Sequence, residues 1–251
     1  MAMLYGKNMT DEEIRLYIFD YIKLIKSSKH DRFHSIMSLI PSGDYTVLDY
    51  GCGWGHYSIA MSSKGSKVKS IDLSENQIDI CNLVWGSQSK VSFSANSIDH
   101  ESDNSFDYVL SNQVVEHVHN VGNYISGINR VLKPNGKLII SLPNIMNLRF
   151  FFAMLRRNLE LKLMAHSEYM IKNYDKGHDH INAWDPQHFC TLMASMGFML
   201  EKYIPTEGIA MPTSKPFGSY VHIENKRLSN LSYTMTFLFK KIETKIIGPK
   251  E

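Results

Sequence analysis

The stretch VLDYGCGWG, residues 47–55, sets three glycines at alternate positions behind an aspartate and a short apolar run. Glycines let a backbone approach a ligand closely and turn its N–H groups toward an anion. The dinucleotide fingerprint, G-x-G-x-x-G, needs its third glycine where the following helix packs on the strand. Position 56 is histidine, so the order here is G-x-G-x-G and that fingerprint fails. The tighter run suits a ligand lying directly against the backbone, with loop amides facing a carboxylate instead of a pyrophosphate. Asp72 ends the strand in KVKSIDL (67–73), where an acid can accept both hydroxyls of a ribose. Each such bond to a charged acceptor contributes about 1.5–3 kcal/mol. Taken singly, the loop also reads as a tight turn and Asp72 as a solvated residue before a helix.

Histidines supply the second set. His117 follows Glu116 beyond another apolar run, and GHDHINAW (177–184) gathers His178, Asp179, His180 and Trp184. That segment could form a polar acceptor site, with His117, His178 or His180 as general base; a hydrogen-bonded surface loop is the other reading. His178-x-His180 with His188 falls short of a metal site, because two histidines in a loop leave the ligand set incomplete. No metal is expected. His188 falls in the first turn of a capped helix and reads as structural.

The elements that must position these residues follow from periodicity. Thr10-Asp-Glu-Glu13 is a capping box for an N-terminal helix with Ile14, Tyr17, Ile18, Tyr21, Ile22 and Ile25 on one face. A second short helix covers about 32–40. Strands are expected at 45–50, 67–73, 91–95, 106–111 and 137–142, separated by helices at about 56–63, 74–85 and 122–132. The last of these helices closes at the turn Pro134-Asn-Gly136, and Ser74 with Gln77 caps the one before it. Beyond Pro143 a helix is expected at 147–158, while 159–184 shows no clear period. Asp185-Pro186 starts a helix that stops at Gly197, and 198–204 and 231–239 could supply two more strands. Alternating strands and helices predict a parallel sheet covered on both faces, with ligands at the carboxyl ends of its strands.

The bulk numbers narrow the partners. A net charge of +2 on 251 residues offers no basic face for a nucleic acid. Cys52, Cys81 and Cys190 are far apart and form no C-x-x-C pair, which argues against zinc and disulfides and suits a reducing compartment. No apolar run reaches transmembrane length. The acidic start lacks the basic flank and apolar core of a signal peptide, so a cytoplasmic location is expected.

VLDYGCGWG, then SIDLS, NSFDYVLSNQVVEHV and RVLKPNGKLIISLPN, in that order and spacing, resemble the class I S-adenosylmethionine (SAM)-dependent methyltransferases. The likeness covers about residues 45–145 and is nearest to the small-molecule branch of ubiquinone and menaquinone methyltransferases. It implies a Rossmann-like seven-stranded, mostly parallel sheet flanked by helices, with an N-terminal helical lid and an insertion after strand five. One methyltransferase domain over 1–251 would divide into a lid (1–43), a SAM-binding core (44–145), a substrate-covering insertion with its helix (146–205) and C-terminal strands and tail (206–251). By the same resemblance Asp49, Gly51, Cys52, Gly53 and Gly55 line the methionine part of SAM. Asp72 holds the ribose, Leu73 lies against the adenine, and Asn96, Ser97 and Ile98 pack on its edge. Related sequences have an aspartate before that edge; Ser94-Ala-Asn-Ser97 has none. Gln113 matches a cofactor-contacting position, and Glu116-His117 matches the "EH" that opens the next helix.

A small polar molecule is the expected partner, with Tyr5, Tyr169, Asp179 and Trp184 as substrate-binding residues. The leading expectation is O-methylation of a sugar nucleotide or glycan intermediate. N- or C-methylation of another metabolite, and an inactive SAM-binding module, are the alternatives. Ser-Asn-Gln-Val at 111–114 lacks the proline-rich tetrapeptide of adenine-N6 methyltransferases. Arg149 to Arg157, bulky and basic, reads first as an ordinary buried helix; it could also meet a lipid-linked or phosphorylated substrate or a second subunit, and peripheral membrane contact and a homodimer both stay open.

Overall fold

The computed structural model describes residues 9–27, 31–173, 180–212, 220–223 and 226–243. Thr10 opens helix α1 (Asp11–Ser27) with both halves of its capping box: Thr10 N–H donates to Glu13 Oε2 at 2.7 Å, and Glu13 N–H to Thr10 Oγ1 at 3.3 Å. Helix α2 (Asp31–Ser38) follows.

The sheet then builds by crossovers. Strands β1 (Thr46–Tyr50), β2 (Lys67–Ile71), β3 (Val91–Ser94), β4 (Phe106–Asn112) and β5 (Leu132–Pro143) are parallel. Helices α3 (His56–Ser63), α4 (Glu75–Trp85) and α5 (Val121–Val131) lie between them. After β5 come α6 (Leu148–Arg157), α7 (Glu160–Asn173) and α8 (Pro186–Ser195), then β6 (Phe198–Thr206), β7 (Ile209–Pro212), β8 (Tyr220–Ile223) and β9 (Thr234–Lys241). The seven-stranded sheet runs β3-β2-β1-β4-β5-β9-β6, with β9 antiparallel to both neighbours, while β7 and β8 form a separate hairpin. The order reverses between β1 and β4, which opens a crevice at their carboxyl ends.

Successive strand residues face opposite layers. Leu48, Leu138 and Ile140 pack under α5 and α8 with Tyr124, Ile128, Phe189 and Met193. Val47, Leu110 and Ile139 pack under α2 and α3 with Phe33, Ile36, Tyr57 and Met61. A third cluster joins Ile18 of α1 to Cys52, Ile78, Cys81 and Trp85, so the N-terminal helix sits on α4 and the glycine loop. Asp185 caps α8 by accepting from Gln187 and His188 N–H, and Gly197 turns the chain at φ 83°.

Three elements differ from the sequence reading. Strand β5 takes in Pro134-Asn-Gly136, with Asn135 at φ 63° and a register shift where Leu132 pairs Phe106. Helix α7 lies in the stretch without a clear period. Its described side chains are exposed apart from half-buried Met170, so no buried stripe marks it. The β7–β8 hairpin also lies outside the expected strands. Among the described residues no helix is long and apolar enough to cross a membrane.

Candidate active site

The crevice is built on the loop after β1. At Gly51 (φ 81°) an added Cβ would meet Val114 Cγ2 at 2.4 Å, so glycine there serves packing. At Gly53 (φ 52°) a Cβ would meet nothing within 4 Å: the loop is bare on that side. Gly53 N–H donates to Asp72 Oδ2 and Ser74 N–H to Asp72 Oδ1, both at 3.0 Å. Two amides therefore fix the Asp72 carboxylate at the end of β2. Beside it Leu73 is 80% exposed, an apolar platform next to an acid. An open glycine, a fixed acceptor and an apolar platform fit the methionine, ribose and adenine of SAM.

Asp49 lies beneath the loop, fully buried. Ser58 Oγ–H donates to its Oδ2 at 2.6 Å, and Ser70 Oγ–H to Ser58 at 2.9 Å. Burial pushes the Asp49 carboxyl up to about 7; the Ser58 bond opposes this and the Asp72 charge adds to it. Such an acid gains most from a nearby cation.

Helix α1 covers the loop with aromatic rings. Tyr17 and Tyr21 meet Trp54 edge-on at 5.8 and 4.9 Å. Trp54 Nε1 and His56 Nδ1 are buried with no hydrogen-bond partner among the described residues. Burial, with the Arg32 charge, pushes His56 down to about 4, so the imidazole is neutral at neutral pH. Arg32 pairs with Glu207 at 3.5 Å, joining α2 to the β6–β7 corner.

The far wall comes from the end of β4. Gln113 has φ 58°, strained for a side-chain-bearing residue, and its Nε2 is buried without a partner among the described residues. Glu116 is 1% exposed, and neither carboxylate oxygen has a hydrogen-bond partner there. Burial pushes this carboxyl up to about 7. Its backbone oxygen accepts from Ile181 and Asn182 N–H at 2.9 and 3.0 Å, and Asn182 Nδ2 donates to Val118 O at 2.6 Å. That docking lays His180 against His117, ring centroids 4.9 Å apart. One ligand atom from each of Glu116, His117 and His180 lies within 4.8 Å of the others.

The structure thus gathers Asp49, Gly51, Cys52, Gly53, Gly55, Asp72 and Leu73 on one side, and Gln113, His117 and His180 on the other. Asn96 is exposed, and Ser97 Oγ accepts from Asp99 N–H at 3.3 Å to cap a short turn. Ile98 is buried, its side chain near Gly127 of α5. Trp184 bridges to Asn144 and packs edge-on against Phe189, and Tyr169 lies exposed on α7. His188 Nδ1 pairs with Asp185 Oδ2 at 2.5 Å, apart from the Glu116 cluster. Tyr5, His178 and Asp179 lie outside the described residues. Sequence reasoning did not single out Arg32, Glu207 or the Ser58–Ser70 support of Asp49. Glu116 had a signal: a carboxylate closely flanked by valines in VVEHV is placed for burial.

A sheet in this order, with a glycine turn after β1 and an acid after β2, defines the fold of class I SAM-dependent methyltransferases. A family described as "Methyltransferase domain" matches residues 15–203, and the chain belongs to that family. It is 33% identical over 100 residues to a ubiquinone biosynthesis O-methyltransferase of Rickettsia akari, covering 39% of this chain and 40% of that protein. It is 28% identical over 169 residues to the enzyme of the same name from Thiobacillus denitrificans, covering 64% and 68%. The solved 1,6-didemethyltoxoflavin-N1-methyltransferase of Burkholderia thailandensis, bound to S-adenosylhomocysteine, shares the fold at TM-score 0.54 and 14% identity. That likeness covers 95% of this chain and 93% of its own. The chain spans less than half the length of the Rickettsia relative it matches.

Proposed function

We propose that this chain transfers a methyl group from SAM to a hydroxyl of a small acceptor. The observation that carries the reading is the bare face of Gly53, bordered by the fixed Asp72 carboxylate and exposed Leu73. When bound, SAM supplies a methyl group on a positively charged sulfur. The glycine-loop amides and Asp49 hold the methionine end, and Asp72 accepts from the ribose. The acceptor lies toward Glu116, His117 and His180. In-line placement supplies most of the rate, up to about 7–11 kcal/mol. Glu116, ionised above about pH 7, takes the hydroxyl proton and adds a factor of about 10²–10⁴.

The relatives' names support an oxygen acceptor in ubiquinone biosynthesis and give no support to the sugar nucleotide or glycan of the sequence reading. We read the acceptor as an aromatic hydroxyl of the kind a quinone precursor carries. The test incubates pure protein and SAM with hydroxylated quinone precursors or with sugar nucleotides, beside an Asp72→Ala control. Methyl transfer to the aromatic set alone is expected. Absence of SAM binding would sink the enzyme reading, and background turnover equal to the control would favour an inactive module.

A second reading rests on the spacing of Glu116, His117 and His180, which a divalent cation could span. A cation there would lower the pKa of the acceptor hydroxyl and replace the general base. Activity lost on chelation and restored by magnesium or zinc would establish it; activity unchanged by chelation leaves Glu116 as the base.

A further inference from the structure

Half of the exposed large apolar side chains of the described residues fall between Met146 and Ile181. On α6 and α7, Phe151, Phe152, Leu155, Leu163, Met164 and Ile171 are 43% to 81% exposed. An apolar face of this kind marks an interaction surface on a folded domain. Its base is held firmly. Asn147 Nδ2 donates to Leu231 O at 2.8 Å, Phe150 stacks on Tyr233 at 5.1 Å, and Arg149 lies over the same ring at 5.6 Å. One side of α6 is therefore anchored, while its outer side and nearly all of α7 are bare.

Charge decides what covers this face. From 148 to 173 the sequence carries five Arg and Lys (149, 156, 157, 162 and 172) against two acids (160 and 168). That surplus of three exceeds the +2 of the whole chain, so the remainder is slightly acidic. A second copy docked on the same face would bring two positive surfaces together.

We propose that α6 and α7 form a docking surface for an anionic lipid bilayer. Amphipathic helices with aromatic and aliphatic side chains on one side and Arg and Lys beside them lie in the interface plane. The apolar side chains enter the boundary of headgroups and acyl chains, while Arg156, Lys162 and Lys172 meet lipid phosphates. Neither helix spans the bilayer.

The test is cosedimentation of the full chain with phosphatidylcholine vesicles, with and without phosphatidylglycerol. Binding is expected on the mixed vesicles only, weakening as salt screens the charges. Phe151→Ser with Phe152→Ser should lower partitioning about tenfold or more. Arg156→Gln with Lys162→Gln should lower it about fivefold per charge removed. Both variants should keep the wild-type circular dichroism and SAM affinity. Should the phenylalanine pair disturb folding, the charge pair on exposed side chains carries the test alone. No binding to anionic vesicles, or binding that neither variant changes, overturns the proposal. So does a dimer in sedimentation equilibrium that the phenylalanine pair dissociates, since the face would then belong to a second copy.

Discussion

Gly53 donates its N–H to Asp72 Oδ2 at 3.0 Å, so the loop after β1 and the acid after β2 form one unit. The same carboxylate takes Ser74 N–H on its other oxygen, at the start of α4. Two segments, the loop at 51–55 and the turn at 72–74, meet on one side chain, which fixes its direction before any ligand arrives. Preorganisation of this kind lowers the cost of binding.

Asp72→Ala removes the carboxylate that accepts both amide hydrogen bonds and the proposed ribose contact. Hydrogen bonds to a charged group contribute about 1.5–3 kcal/mol each, so SAM affinity should fall by about 10²-fold. Isothermal titration calorimetry measures this directly. A loss below threefold would take the ribose away from Asp72.

Gly51→Ala and Gly53→Ala separate packing from binding. An Ala Cβ at Gly51 would sit 2.4 Å from Val114 Cγ2, so that variant should lose stability in thermal unfolding. At Gly53 the space is open, and the left-handed conformation costs only about 1–2 kcal/mol. SAM affinity should nonetheless fall at least about tenfold, because the methyl occupies the ligand's approach. Equal affinities for Gly53→Ala and the unchanged protein would put the ligand elsewhere.

Much of this scaffold is readable from residue patterns, because strand and helix signals are local. Histidine at 56 excludes the dinucleotide fingerprint, and the Thr10–Glu13 box forms as its spacing predicts. What is not local escapes. His180 reaches His117 only because Ile181 and Asn182 hand their N–H groups to Glu116 O, a backbone event with no side-chain signature. Helix α7 escapes for a related reason: none of its apolar side chains is drawn into a buried stripe.

Asp49 should make SAM binding pH-dependent. Its folded carboxyl titrates near 7, above the ordinary value of about 3.9. The folded state therefore keeps the proton longer than the unfolded chain. This group's contribution to stability is full below about pH 4 and is lost as pH rises toward 7. A cationic ligand favours the carboxylate, so binding should release a proton and weaken by up to about tenfold per pH unit below 7. Titrations in buffers of different ionisation enthalpy measure the proton. Asp49→Asn should reduce both effects; an unchanged pH slope would mean that Asp49 does not face the ligand's charge.

Glu116 should set the pH dependence of turnover. Buried to 1% exposure and raised to about 7, it accepts a proton only when ionised, so kcat should rise as pH increases through 7 and then level off. Glu116→Gln keeps the shape of the side chain and removes its basicity. Turnover should drop by about 10²-fold or more and lose the rise near 7, while SAM affinity at pH 8 changes little. The split matters because a structural role would lower stability and SAM affinity together and leave the shape of the pH profile intact. If the rise near 7 survives in Glu116→Gln and disappears in His117→Asn, the proton goes to the histidine side of the cluster.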